Sequence, residues 1–538
     1  MTRSSGVLLH ISSLPGDFGI GSFGKSAYQF VDFLVETGQS YWQILPLGTT
    51  SYGDSPYQSF SAFAGNTYFI DFELLTEEGL LKHSDYKDVD FGKKPHQVNY
   101  GQLFKTKRPV LELAVKNFLK RNQLGDYHHF VNENQTWLVP FAEYMAIKES
   151  FDNEPWYNWD EPIRMREESA LSEYRAKLSD DIIYHQVTQY FFFSQWQLLK
   201  NYANNKHIQI IGDIPIYVSR DSVEMWSDPQ LFKVDEDHNP TVVSGTPPDY
   251  FSEDGQYWGN PIYDWEYMRN NGYQWWIQRL KESFKLYDVV RIDHFRGFES
   301  YWEVPFGEKT AQNGRWKKGP GIELFNAIYK ELGELNIIAE DLGFMTQEVI
   351  DMRDATGFPG MKILQFGFTN EDSIDLPHNY LPNTIAYVGT HDNETAEGWI
   401  KDTAEPQIIK QANQYTHRKS KESISSALNR TLAASVSNTV IYTMQDLLGL
   451  DNSARMNTPS TIGQNWQWRL KGKKLDPKVA KELTKITRTY FRFNPANDPL
   501  LKLKKEEEKI QEAKENTKDS KDVTNSEAFH SNVDSSSI

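Results

Sequence analysis

Three carboxylates in this 538-residue chain stand where bond-breaking chemistry would want them. Asp293 closes the run in DVVRIDHFRG, Glu340 closes that in NIIAEDLG, and Asp392 follows the one in YVGTHDNET. Arg291 lies two residues before Asp293, so on an extended strand both side chains point to one face. A guanidinium there is expected to favour ionised Asp293 and lower its pKa, as a carboxylate nucleophile requires. Glu340 has no cation in its own segment and follows Ile337, Ile338 and Ala339. A drier setting raises a carboxyl pKa, as a general acid needs. Two carboxyls held in divergent environments are the requirement for cleaving a glycosidic bond. A structural Arg–Asp pair, or acids that merely cap helices, is the plainer alternative.

Those residues need a scaffold that brings them together. Short apolar runs recur at 6–11, 40–46, 207–213, 287–293, 336–340, 361–366, 384–388 and 438–442. Nearly continuous Val, Ile and Leu in most of them fits strands covered on both faces. With helix-like segments between most of them, the eight runs predict an α/β fold, a (β/α)8 TIM-type barrel, although a mixed open sheet has a similar pattern. In a barrel all three carboxylates open onto the C-terminal rim, where active sites sit. The spacing breaks once. Residues 67–203 hold helical patterns and no such strand, which predicts a largely helical insertion after the second strand. The catalytic barrel is then 1–66 and 204–503. Residues 504–538 are charged, with Phe529 as their one aromatic, and are expected to be a disordered tail.

Composition narrows the partners. A net charge of −17 argues against nucleic acid and anionic membrane, both of which need a basic footprint, and leaves a neutral substrate open. The absence of cysteine rules out disulfides and thiolate-bound metals and fits a reducing compartment. No apolar run approaches the roughly 20 residues of a membrane helix, and the N-terminal stretch is broken by His10, Ser12 and Ser13, so the cytoplasm is expected. With 15 Trp, 28 Tyr and 31 Phe, the chain can build a core and still present flat rings to sugar faces.

Other motifs carry less. Gly19, Gly21 and Gly24 match a dinucleotide fingerprint, but Pro15 and Asp17 separate them from the strand that the fingerprint must follow directly. Asp235, Asp237 and Asn239 begin like a calcium loop that then has Pro240 and Thr246 in place of the required Gly and Glu, so a polar turn is expected. His128 and His129 lack metal-ligand spacing. The segment 245–263, punctuated by Pro and Gly, reads as an irregular loop carrying Tyr250, Phe251, Tyr257 and Trp258. These aromatics either stack on sugar as a lid or pack the loop down.

Longer segments then spell a family. SSLPGDFGIG, GDSPYQSFSAFAGN, IIGDIPIYV, PPDYFSEDGQYWGNPIY, VVRIDHFRGF, IIAEDLG, FPGMKILQFGF, VGTHDNET and RMNTPSTIGQNWQWR extend from Ser12 to Arg469. Through them the chain resembles the amylomaltases, or 4-α-glucanotransferases, of glycoside hydrolase family 77. The resemblance implies Asp293 as nucleophile, Glu340 as acid/base and Asp392 as the third carboxylate, binding the hydroxyls of the sugar that is cleaved. It implies Arg291, His294 and His391 around that sugar, and Ser55, Tyr57, Asp213, Gln256, Trp258 and Asn393 as further substrate contacts. Ser460 departs from the family pattern, which usually has Gly there.

The implied reaction is a retaining double displacement moving α-1,4-glucan segments from a donor maltodextrin to the 4-hydroxyl of an acceptor glucan or glucose. Maltooligosaccharides and glucans are the expected partners, and no metal or organic cofactor is expected, because two carboxyls suffice. An α-amylase-like hydrolase using the same triad, and a glucan-binding protein on a barrel without catalysis, are the alternatives.

Overall fold

The computed structural model describes residues 3–501, apart from 52, 249–252, 371 and 473–474, together with Leu503 and Lys509. The expected disorder of 504–538 therefore falls almost wholly outside the described residues. Eight strands pair in parallel: Ser4–Leu8, Tyr41–Gln43, Gln209–Ile214, Val289–Ile292, Ile337–Ala339, Gly360–Ile363, Thr384–Tyr387 and Thr439–Thr443. They follow chain order around the sheet, with the first beside the eighth and the run ending at the fifth and sixth. Those two end strands are also adjacent, and Ala339 N–H donates to Pro359 O across them at 3.0 Å. The fold is a (β/α)8 barrel. Each strand overlaps one of the eight apolar runs, because residues such as Val7, Val290, Ile292 and Ile441 are wholly buried between barrel interior and helical shell.

Between the second and third strands an irregular stretch at 44–66 leads into a segment that is largely helical, with a second irregular stretch at 86–99. Its longest members, Gly125–Ser150 and Ser179–Asn205, pack on each other, and the latter leads into the third strand. This last helix also grips the loop that precedes the helical segment. The Gln189 side chain accepts from Gly65 N–H at 2.8 Å and donates to Gly65 O at 2.9 Å, while Gln195 does the same for Asp71 at 2.8 and 3.1 Å. A second, antiparallel sheet lies apart from the barrel ladder. Its strands run in the order Gln256–Pro261, Val242–Thr246, Ser300–Pro305 and Arg315–Lys318. No helix among the described residues is long and apolar enough to cross a membrane.

The barrel is fastened where its first and eighth strands meet. Arg492 has no exposed surface, and its guanidinium donates to the carbonyls of Ser4, Ala433, Ser435, Ser437 and Asn438 at 2.8–3.2 Å. Arg492→Met keeps the volume and strands those acceptors. Its unfolding free energy, measured by urea titration, is expected to fall by at least about 3 kcal/mol, and a fall below about 1 kcal/mol would show that the cluster is not a clasp.

Candidate active site

The floor of the site is set by strand register. Asp213 on the third strand is paired with Arg291 on the fourth. Arg291 Nη1 donates to both Asp213 oxygens, at 2.8 and 2.7 Å, and lies 3.0 Å from Asp293 Oδ1. Asp213 is fully buried and Arg291 nearly so. Tyr57 completes the Asp213 shell, its hydroxyl donating to Oδ2 at 2.9 Å. Asp293 follows the strand two residues beyond Arg291 and keeps 31% of its side chain exposed, so one end is ion-paired while the group stays open.

Glu340 stands beside it because the fourth and fifth strands run in step. Ile292 is paired with Ala339, Glu340 N–H donates to Ile292 O at 3.1 Å, and Phe295 N–H donates to Glu340 O at 3.1 Å. Between Asp293 and Phe295 the chain turns sharply. His294 adopts φ +53°, a left-handed conformation that costs a non-glycine residue energy. In that conformation its N–H donates to Glu340 Oε2 at 2.7 Å, while Leu342 N–H donates to Oε1 at 3.0 Å. The residue after one carboxylate thus holds the other.

Asp392 sits on a loop after the seventh strand. Asn457 Nδ2 donates to its Oδ1 at 2.6 Å, Arg455 donates to its carbonyl at 2.7 Å, and Asn457 N–H donates to His391 O at 3.0 Å. Asn393 Oδ1 accepts from Thr390 N–H at 2.9 Å and from its hydroxyl at 3.0 Å, closing the turn that carries Asp392. The His391 ring stacks on Tyr57 with centroids 5.3 Å apart, and Trp466 lies 5.7 Å from Tyr57 and 5.8 Å from His391. The opposite wall is Trp258, edge-on to His294 at 4.7 Å. Three more of the expected contact residues spend an oxygen on a neighbour. Gln256 Oε1 accepts from Trp258 Nε1 at 3.2 Å, Ser55 Oγ accepts from Tyr57 N–H at 3.2 Å, and Asn393 shapes the Asp392 turn.

Two expectations need correcting. The segment 245–263 is not irregular throughout. Gln256–Pro261 is a strand paired antiparallel to Val242–Thr246 through a bulge at Val243/Gly245, so Tyr257 and Trp258 ride on a sheet. Pro247, Pro248 and Gly255 lie between the two strands, while Gly245, Gly259 and Pro261 fall within them; Tyr250 and Phe251 lie outside the described residues. Nor does the pull of Arg291, which does act downward, leave Asp293 below its ordinary value. Burial pushes Asp293 up to about 6, with Arg291 opposing and the charges of Asp213 and Asp392 adding to the rise. Asp213 holds that guanidinium by two bonds, and Asp293 has only its flank. Glu340 goes further, to about 8, by burial and then by the negative charge of Asp293, against Arg291 and its two amide donors. The order is the expected one, with Asp293 ionising first. Burial also drives His294 down to about 3, which keeps its imidazole neutral.

Sequence reasoning does not single out Asn457, Trp466 or Arg455, although RMNTPSTIGQNWQWR contains all three. Their signal is tertiary, since Arg455 and Asn457 meet Asp392 across more than 60 residues of chain. Ser460, in the same segment, takes φ +63°, a conformation glycine adopts without strain, which accounts for the family's usual Gly. The remaining motifs are structural. A Cβ on Gly19, Gly21 or Gly24 would strike Phe91 O, Ile11 O or the Asp71 carboxylate, so those glycines abut protein. Asp235 Oδ1 accepts from Asp237 and Asn239 N–H at 3.0 and 2.8 Å, a polar turn. His129 pairs with Glu133 on an exposed helix face.

Comparison with known proteins agrees with this geometry. Residues 9–475 match the glycoside hydrolase family 77 model, described as 4-alpha-glucanotransferase. The chain belongs to that family. Among its relatives, a 4-alpha-glucanotransferase of Streptococcus pneumoniae serotype 4 is 58% identical over 94% of this chain and 99% of its own length. One from Clostridium butyricum is 49% identical over 90% and 100%. The solved amylomaltase from Streptococcus agalactiae in complex with acarbose is 54% identical, with a TM-score of 0.90, covering 92% of this chain and all of that one. An amylomaltase from Corynebacterium glutamicum, 18% identical with a TM-score of 0.72 over 92% of this chain and 75% of its own, shares the fold.

With Asp293 as the expected nucleophile and Glu340 as the expected acid, the competent state has the first ionised and the second protonated. The kcat/KM for maltotriose is therefore expected to fall on the acid side, as the Asp293 end takes a proton near 6, and on the alkaline side, as the Glu340 end loses one near 8. Initial rates across the range check this. A profile still rising above about pH 9 contradicts Glu340 as the acid.

Proposed function

We propose that the chain is a 4-α-glucanotransferase that passes α-1,4-glucan segments between maltodextrins by double displacement, with Asp293 as nucleophile and Glu340 as acid and base. What carries the reading is one geometric fact joined to family membership. Two carboxyls stand at adjacent strand ends, one on a guanidinium and the other on two amides, with Glu340 shifted further upward than Asp293.

Glu340 gives its proton to the glycosidic oxygen as Asp293 attacks the anomeric carbon. The C1–O bond breaks, the shortened glucan leaves with that proton, and a glucosyl ester forms on Asp293. The 4-hydroxyl of an acceptor then adds to C1, its proton passes to Glu340, and the ester opens with the α configuration retained. Asp392, held by Asn457, binds the hydroxyls of the ring at the point of cleavage. Arg291 keeps Asp293 in place, and Trp258, Tyr57, His294 and His391 enclose that ring by stacking and neutral hydrogen bonds. Ser55, Gln256 and Asn393 support these contacts from behind, and Asp213 anchors Arg291. Transfer rather than hydrolysis is supported by relatives that bear the transferase name. A cysteine-free composition supports a cytoplasmic setting.

Fed maltotriose alone, the enzyme is expected to yield a ladder of longer maltodextrins with glucose and maltose, at a constant number of reducing ends. Chromatography showing reducing ends that rise with consumption, and no longer chains, would instead make it a hydrolase. The two carboxylates separate by leaving group. Glu340→Gln is expected to be nearly inert on maltotriose yet to react with α-maltosyl fluoride, whose fluoride departs without a proton, and to accumulate a maltosyl adduct on the peptide holding Asp293. Asp293→Asn is expected to react with neither. Adduct mass on any other residue, or full maltotriose activity in Glu340→Gln, overturns the assignment.

A further inference from the structure

Glu340 is followed by a carboxylate that the mechanism does not use. Asp341 is 7% exposed and lies where the fifth and sixth strands adjoin, the two ends of the eight-strand ladder. Its Oδ1 accepts from Met361 N–H at 2.7 Å, so a side chain bonds the first turn of the sixth strand across this junction. Its Oδ2 is ion-paired with Arg353, on the helix Gln347–Thr356 that joins the two strands. The slot exists because residue 360 is glycine. A Cβ there would stand 2.3 Å from Asp341 Oδ2. One residue therefore ties the end of the fifth strand to both the next strand and the helix between them.

What it ties down is the acid. Glu340 Oε1 accepts from Leu342 N–H, so the residues on either side of Asp341 are clipped together, and any drift of Asp341 moves Glu340. Met361 carries the effect further, because its Sδ is 3.4 Å from Arg291 Nε on the guanidinium that flanks Asp293. We propose that Asp341 is a positioning residue for transfer, fixing the Glu340 carboxyl where it can protonate the glycosidic oxygen. The proposal rests on Glu340 being the acid.

Asp341→Asn keeps the shape and turns one partner against it. Whichever way the amide lies, its NH2 faces either Met361 N–H or Arg353, both donors. A misplaced acid harms only reactions that need the proton. On maltotriose kcat is expected to fall roughly 10- to 100-fold, while the initial release of fluoride from α-maltosyl fluoride changes by less than about 3-fold. Gly360→Ala crowds the same carboxylate from the other side and is expected to reproduce the split. It carries the test should Asp341→Asn not fold by circular dichroism. Equal losses on both donors would mean a general weakening of the barrel, and an unchanged maltotriose rate would mean no role; either overturns the proposal. If Glu340→Gln separates the two donors and the folded Asp341→Asn does not, the positioning role alone falls. If Glu340→Gln fails to separate them, the acid assignment falls and takes this proposal with it.

Discussion

Among the described residues one guanidinium meets carboxylate oxygens in a cleft that holds four carboxyls, and the chemistry arises from that imbalance. Arg291 neutralises Asp213 through two bonds and lends its flank to Asp293. Asp392 is served by the Asn457 amide and the neighbouring His391, and among the described residues the Glu340 side chain receives two backbone N–H donors. A buried carboxylate without a full counter-charge sheds its charge by binding a proton. Glu340 is the residue left to do so, and a proton held there at neutral pH is what a sugar leaving group requires. A second cation beside Glu340 would tighten the floor and remove the acid.

That arrangement needs relative placement finer than side-chain packing alone provides. Asp293 and Glu340 are joined through the main chain, by the in-step fourth and fifth strands and by the left-handed turn at His294. Strain at His294 is the cost of aiming an amide at Glu340, and the surrounding backbone bonds hold it there. Asp392 is handled differently. It stands on a loop whose shape depends on Asn393 within the loop and on Arg455 and Asn457 from a distant segment. Asp293 and Glu340 are fixed by the barrel, and Asp392 by the loop segments that bond it.

The difference explains what the sequence disclosed. Eight strands were legible because a strand covered on both faces is largely apolar, and the pair Asp293 and Glu340 was legible because each directly ends such a run. The strand Gln256–Pro261 was hidden. It carries Gln, Gly, Asn and Pro, its residues are mostly half-exposed, and it is defined by pairing with a polar partner rather than by a periodic pattern. The rise of Asp293 was hidden too, since Arg291 is adjacent in sequence while Asp213, which holds it more firmly, comes from another strand. Asn457 and Trp466 have no local signature at all. Only the resemblance reached most of the expected substrate contacts, and it could not show that Gln256 and Asn393 also hold a neighbour.

The two half-reactions also explain why the cleft is lined as it is. The leaving oxygen and the attacking oxygen are both the 4-oxygen of a glucose unit, so one acid/base serves both directions, and the same surface must receive the departing glucan and the arriving one. Neither carries charge. Tyr57, Trp258 and Trp466 offer rings, and His294 is held neutral by burial. A protonated imidazole beside Asp293 would compete with Arg291 and draw the nucleophile's charge away from the anomeric carbon. In the proposed mechanism a neutral ring confines the change of charge to Asp293 and Glu340, whose shared field couples the ester on one to the proton on the other. Forming the ester removes the negative charge from Asp293, and Glu340, having given up its proton, can then remain ionised until the acceptor hydroxyl supplies another.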